Sequence, residues 1–255
     1  MATRDELLQE LGLWPRWVRK ASSDRAPPQR DAQPQEAPRV PVALAVHGGE
    51  DPGAGGASTA VDRAARIAAL DWGEFAAAVD ACTACGLCRS RQRSVPGVGD
   101  VAARWLFVGE APGADEDAQG EPFVGQAGRL LDSMLQALGL VRGADVYIAN
   151  VLKCRPPNNR TPTPAEVAAC RPFLDRQIQL IGPRVIVALG KSAANTLLGS
   201  DATIGSLRGR VHDYRGVPLV VTYHPAYLLR TLHDKAKAWE DLVLARRTLQ
   251  AGGGA

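Results

Sequence analysis

No stretch of this chain of 255 residues contains the run of about eighteen apolar residues that a membrane span needs. Acidic Asp5 and Glu6 stand where a secretory leader would be basic. These two absences predict a cytoplasmic protein. An excess of charge of one sign is also missing. A formal net charge of +3 and a pI near 8.7 permit a polyanionic partner without demanding one, so any case for nucleic acid must rest on motifs. Gly190-Lys191-Ser192 suggests an anion site at a helix start, but it lacks the full spacing of a phosphate loop, which argues against nucleoside triphosphate hydrolysis. Cysteine is scarce too, with five residues in all. It is not scattered, however, because Cys82, Cys85 and Cys88 fall at C-x-x-C spacing, and in a reducing compartment that argues for metal or cluster ligation over disulfides.

What is present divides the chain unevenly. Leu7, Leu8, Leu11, Trp14 and Val18 fall at helical spacing, although Pro15 should end or kink a helix there. A stretch rich in Pro, Ala, Gly and Gln follows, so residues 1–60 read as an amphipathic segment plus a disordered linker, 61–250 as the folded domain and 251–255 as a flexible tail. From Val61 to Ala81 an Ala-rich helical pattern leads to the cysteines. Strand and helix then alternate: strands at Trp105–Val108, Val146–Ala149, Val185–Leu189 and Val217–Tyr223, with helices at Leu130–Leu140, after Thr163 and after Lys191. This alternation predicts an α/β fold with a mainly parallel central sheet covered by helices on both faces. Arg210 to Tyr223, with Arg215-Gly216 at its middle, reads as a hairpin adding an antiparallel edge. Thr163, Pro164 and Glu166 spell a capping box.

The unusual residues sit where the strands end. Trp105–Val108 opens onto Gly109-Glu110-Ala111-Pro112-Gly113, the strand after Val146 opens onto Asn150, and the last strand opens onto His224-Pro225. Ligands of open α/β sheets bind at the carboxyl ends of the strands, so these ends predict one site. Each member also has a plainer reading: an ordinary turn for the glycine loop, core filling for Phe123, a turn-forming Asn150, a structural His224, and a solvated acidic run for Asp115-Glu116-Asp117. The cysteines divide in the same way. Cys82, Cys85, Cys154 and Cys170 come from three segments and suit zinc or a cubane cluster alike, the alternative being two ligands plus two buried core thiols. Flanked by Lys153, Arg155 and two prolines, Cys154 is expected outside an apolar core, and Cys88 reads as a spare, the alternative being that it replaces Cys82 or Cys85 as ligand.

Taken together, these segments resemble the family 4 uracil-DNA glycosylases, the iron-sulfur branch of that superfamily. The resemblance rests on Cys82 to Cys85, Val98-Gly99, Phe107 to Gly113, Glu116-Asp117, Gly120 to Gly125, Asn150 to Arg160 and His224 to Arg230, and covers residues 65–248. It implies a three-layer α/β/α sandwich and an enzyme that flips uracil out of DNA and hydrolyses its N-glycosidic bond, as the first step of base excision repair. It also implies a 4Fe-4S cluster on Cys82, Cys85, Cys154 and Cys170, with Cys88 outside the set. By the same resemblance Gly109, Ala111, Phe123, Asn150 and His224 bind uracil. Phe123 stacks on the base, Asn150 reads its O4 and N3 edge, His224 stabilises charge on O2, and Glu110 positions water or stabilises the sugar cation. Ala111 occupies a position where other branches carry Asp. Leu228, Leu229 and Arg230 resemble a loop that enters the duplex, and Lys153, Arg155 and Arg160 are expected on phosphates.

Two other readings compete. A related branch is trapped covalently through a histidine in a basic loop, but Arg155 to Pro162 contains no histidine. A non-catalytic iron-sulfur DNA-binding module would not need Glu110, Phe123, Asn150 and His224 intact. Finally, Gln9 to Trp14 resembles peptides that dock on the bacterial sliding clamp, which would tether a nucleoid-associated monomer to its DNA substrate, the alternative being an amphipathic helix that folds back on the catalytic domain.

Overall fold

The computed structural model describes residues 55–252. The expected amphipathic segment, the clamp-like peptide and nearly all of the linker lie outside the described residues.

The Ala-rich pattern before the cysteines is two helices where one was expected, α1 (Gly55–Ala69) and α2 (Trp72–Asp80). The break has a local cause. The Asp71 side chain accepts from Glu74 N, while the Glu74 carboxylate accepts from Asp71 N, and this reciprocal cap starts a second helix. α1 also begins at Gly55, ahead of the expected domain boundary.

The sheet has six strands: β1 (Val98–Gly99), β2 (Trp105–Gly109), β3 (Val146–Asn150), β4 (Val185–Leu189), β5 (Val211–Tyr214) and β6 (Val217–Thr222). They lie in the order β1-β3-β2-β4-β6-β5. The four central strands are parallel, and both edges are antiparallel. The edge strand β1 was not foreseen, being too short to show alternation. The edge formed by β5 and β6 is the predicted hairpin, and its turn places Arg215 and Gly216 at positive φ, 52° and 87°, as a tight hairpin turn requires.

Central strands buried on both faces read as continuous apolar runs, and here each residue in turn serves the opposite layer. Leu106, Val108, Tyr147, Ala149, Ile186, Ala188, Leu219 and Val221 face one cluster. It is completed by Leu174, Ile178 and Ile181 of α5 (Pro164–Ile181), and by Ala193, Ala194 and Leu197 of α6 (Lys191–Leu198). Trp105, Phe107, Val146, Ile148, Val185, Val187, Leu189 and Val220 face the other cluster. There Leu131 and Leu135 of α4 (Gln126–Ala137) and Leu242, Ala245 and Leu249 of α9 (Lys235–Ala251) close the layer. The short α3 (Ala114–Gln119), α7 (Ile204–Leu207) and α8 (Pro225–Leu228) occupy the loops. The result is the predicted three-layer sandwich. α1 and α2 add a small third cluster through Ile67, Phe75 and Val79, which pack on Phe173 of α5.

Chain direction sets the location of the site. From β2 the chain crosses to β3 on one side, and from β4 it proceeds to β6 on the other. The loops therefore diverge at the carboxyl ends of the central strands, where such sheets leave a crevice.

Candidate active site and cysteine centre

That crevice holds a cavity of about 470 Å³. The loop after β2 supplies Glu110, Ala111, Pro112 and Gly113, the end of β3 supplies Asn150, and the loop after β6 supplies His224. Phe123 and Ala127 line it from before and within α4, and Tyr227, Arg160 and Arg230 lie at its wall.

Asn150 is buried at 2% exposure, and its Oδ1 has no hydrogen-bond partner. Buried polar atoms are nearly always paired, so an unpaired acceptor in a cavity wall points to a ligand that donates. Gly109 pairs with Asn150 across β2 and β3. A Cβ at Gly109 would lie 2.4 Å from Asn150 Oδ1 and 2.6 Å from Phe123 Cζ, so only glycine leaves this space open.

Phe123 is buried, stacks on the His224 ring with centroids 5.5 Å apart and planes inclined by 29°, and has a φ of 56°. A bulky side chain in the left-handed region costs about 1–3 kcal/mol and needs support from its surroundings. Arg142 supplies that support, with Nη2 donating to Phe123 O at 2.8 Å and Nη1 to Pro122 O at 2.9 Å. Gly128 allows the backbone to approach, since a Cβ there would fall 1.7 Å from Phe123 O.

His224 caps α8, its Nδ1 accepting from Ala226 N at 3.1 Å. An accepting Nδ1 carries no proton, so the neutral ring bears its hydrogen on Nε2. Burial holds the imidazole neutral, pushing its pKa down to about 4, with Glu116 opposing and Arg230 adding to the shift. Burial likewise raises the Glu110 carboxyl above its ordinary range, while a hydrogen bond with Ser192 partly offsets it.

The acidic run is not solvated as a whole. Glu116 accepts from Gly113 N, Val124 N and Gly125 N at 3.0, 3.0 and 3.2 Å, fastening the loop after β2 to the loop before α4. Asp117 is buried and accepts from Gln92 N. Neither Arg142 nor the bracing role of Glu116 was legible beforehand, because each acts on backbone groups from distant segments.

Two expected DNA contacts are corrected. Lys153 is 1% exposed, its Nζ donating to Asn150 O at 2.9 Å and to Gln177 Oε1, so it is out of reach of a phosphate. Leu228 is 1% exposed and packs in the cavity between α4 and α9, whereas the neighbouring Leu229 is 40% exposed. Helical geometry at α8 turns Leu228 inward and leaves Leu229 at the surface. Arg155, half-buried, donates to Asn159 Oδ1, and Arg160 pairs with Glu166 at 2.6 Å beside the cavity.

The cysteines converge on a separate, smaller space lined by Cys82, Cys85, Cys88, Cys154 and Cys170. Contrary to expectation, Cys154 is buried against the apolar core. Three of the sulfurs accept hydrogen bonds: Cys82 from Arg63 Nη2 at 3.3 Å, Cys154 from Arg91 Nη1 at 2.9 Å and Cys170 from Lys153 N at 3.3 Å. Donors of this kind favour thiolates. Burial pushes the Cys170 thiol up to about 11, so its ionised form requires compensating positive charge. Among the described residues no three potential ligands meet closely enough for a single metal ion. What the structure does bring together is the thiols themselves, Cys82, Cys85, Cys154 and Cys170 lining one space from three segments of the chain.

The fold and the crevice define an α/β sandwich with a polar pocket at the carboxyl ends of its central strands. A profile of the uracil DNA glycosylase superfamily matches residues 96–243. The type-4 uracil-DNA glycosylase of Thermotoga maritima is 47% identical over 179 residues, covering 69% of this chain and 93% of the relative. The type-4 enzyme of Archaeoglobus fulgidus is 49% identical over 156 residues, 58% of this chain and 78% of the relative. That of Pyrobaculum aerophilum is 46% identical over 171 residues, 64% and 87% respectively. The chain belongs to the uracil-DNA glycosylase superfamily, in its type-4 branch.

Proposed function

We infer that this chain is a uracil-DNA glycosylase, which hydrolyses the N-glycosidic bond of deoxyuridine and leaves free uracil and an abasic site in DNA. The observation that carries this reading is the unpaired Oδ1 of buried Asn150 in a pocket walled by an aromatic ring and a neutral imidazole. Uracil presents an N3–H donor beside an O4 acceptor. One carboxamide meets both, Oδ1 accepting from N3–H and Nδ2 donating to O4. Cytosine presents an amine donor in place of O4 and leaves Nδ2 facing another donor, which costs about 1–3 kcal/mol.

A base within a duplex is out of reach, so it is extruded, and stacking on Phe123 offsets part of the unstacking. As the glycosidic bond breaks, negative charge grows on O2. His224 Nε2–H, fixed by the Ala226 hydrogen bond, stabilises it without a proton transfer. The Glu110 carboxylate orients the attacking water or stabilises the positive sugar.

Cys82, Cys85, Cys154 and Cys170 would hold a 4Fe-4S cluster, which when bound supplies a cross-link between the segment after α2, the loop after β3 and α5. Arg155, Arg160, Leu229 and Arg230 are the surface groups from which DNA contacts are expected. The test is release of uracil from single-stranded and duplex oligonucleotides. Alkali-sensitive abasic sites formed only at uracil are expected, and intact strands at enzyme excess would overturn the reading.

A further inference from the structure

Lys153 is the buried cation that the proposed mechanism leaves unused, and it touches both centres. Its Nζ donates to the carbonyl of Asn150, the residue that ends β3, and to Gln177 Oε1 on α5. Gln177 is itself fully buried and donates to Pro96 O at 2.6 Å and to the Tyr147 hydroxyl at 3.1 Å. The Lys153 carbonyl accepts from Val95 N at 2.8 Å. On its other side Lys153 lines the cysteine cavity, and its backbone N donates to Cys170 Sγ at 3.3 Å. Among the described residues it forms no ion pair with a carboxylate. A buried cation without an opposite charge is costly, and Lys153 shares the lining of its space with the sulfur-bearing Cys154 and Cys170.

We propose that Lys153 is a positioning residue that ties the cysteine centre to the base-reading end of β3, its charge balanced by thiolate sulfur and its hydrogen bond fixing the peptide from which the Asn150 carboxamide projects. This rests on the reading of the pocket as a uracil site and of the cysteines as a cluster site. Asn150 needs such support because the protein offers its Oδ1 no partner. The connection is short: only Val151 and Leu152 lie between Asn150 and Lys153, and Cys154 follows directly.

Two variants of the iron-loaded full-length protein separate the halves of the proposal. Lys153→Met removes donor and charge, while Lys153→Gln keeps a donor and removes the charge. Free uracil is titrated calorimetrically, alongside an oligonucleotide carrying a tetrahydrofuran abasic analogue and electrochemical measurement of the cluster potential. Lys153→Met is expected to weaken uracil binding about tenfold while leaving abasic-analogue binding within about twofold. Lys153→Gln is expected to retain most of the uracil affinity. Both variants should lower the cluster potential, because loss of nearby positive charge favours the oxidised centre. Uracil affinity in Lys153→Met equal to that of the parent protein, or an unchanged potential in both variants, overturns the proposal. So does failure of both to fold, since a positioning role predicts folded, iron-loaded protein. A parent protein that binds neither uracil nor iron would instead remove the reading beneath it.

Discussion

Gly109 and Asn150 face each other at the ends of paired strands, and the missing side chain of the first makes the space for the carboxamide of the second. A Cβ at Gly109 would lie 2.4 Å from Asn150 Oδ1, closer than any stable contact. Gly109→Ala is therefore expected to displace Asn150 and Phe123 and to lower uracil excision at least about tenfold while the protein stays folded. Single-turnover kinetics beside a thermal melt would check this, and full activity would show that the pocket tolerates the methyl group.

Asn150→Asp replaces a donor and an acceptor with acceptors alone. Loss of the bond to O4 and burial of an unpaired carboxylate predict a fall in kcat/KM of about ten- to a hundredfold, by the cost of leaving a buried partner unpaired. Cytosine excision by this variant is a further readout, because a carboxylate accepts from the cytosine amine.

The pH dependence follows from two groups. In the proposed mechanism Glu110 works as a carboxylate, and its pKa is raised by burial, so activity should fall on acidification at a higher pH than an ordinary glutamate would give. His224 acts as the neutral ring and charges only near pH 4. The acid limb of kcat/KM accordingly belongs to Glu110, and Glu110→Gln should lower kcat and flatten that limb. For stability the sign runs from His224. The unfolded ring takes up its proton near pH 6.5 and the folded ring only near 4, so stability is lost as pH falls through that window. Nitrogen NMR of the folded protein should show the neutral Nε2–H tautomer at pH values above the folded-state pKa of about 4, whereas an imidazolium at about pH 6 would contradict the assignment.

Purified protein is expected to be brown and to contain iron. Ala substitution at Cys82, Cys85, Cys154 or Cys170 should each cost iron and lower thermal stability together, since thiolate ligation is coupled to folding. Cys88→Ala should keep the iron although its side chain lines the same space. Stoichiometric zinc in anaerobically prepared protein would replace the cluster assignment.

Leu228 and Leu229 should separate cleanly. Leu228→Ala empties a packed site and should cost about 2–5 kcal/mol of stability. Leu229→Ala should leave the melt unchanged and reduce excision from duplex more than from single strands, which need no unstacking of a partner strand. Equal losses on both substrates would remove Leu229 from the role of a wedge.

The sequence by itself determined the layers. Short apolar strands alternating with capped helices left one arrangement that buries both faces of a parallel sheet, and the polar residues following those strands had to meet at one end of it. The Thr163 cap, the Arg215-Gly216 turn and the run from Val185 to Leu189 were legible because their causes are local. Only the tertiary structure decided the rest. The β1 edge exists because β3 offers it hydrogen bonds, and the neutral state of His224 depends on burial by several segments. Lys153 illustrates the limit best. Beside Cys154 and Arg155 it reads as part of a basic loop, yet the fold directs its ammonium inward to Asn150 and Gln177. Charge is a property of the residue, whereas the partner that satisfies it is a property of the packing.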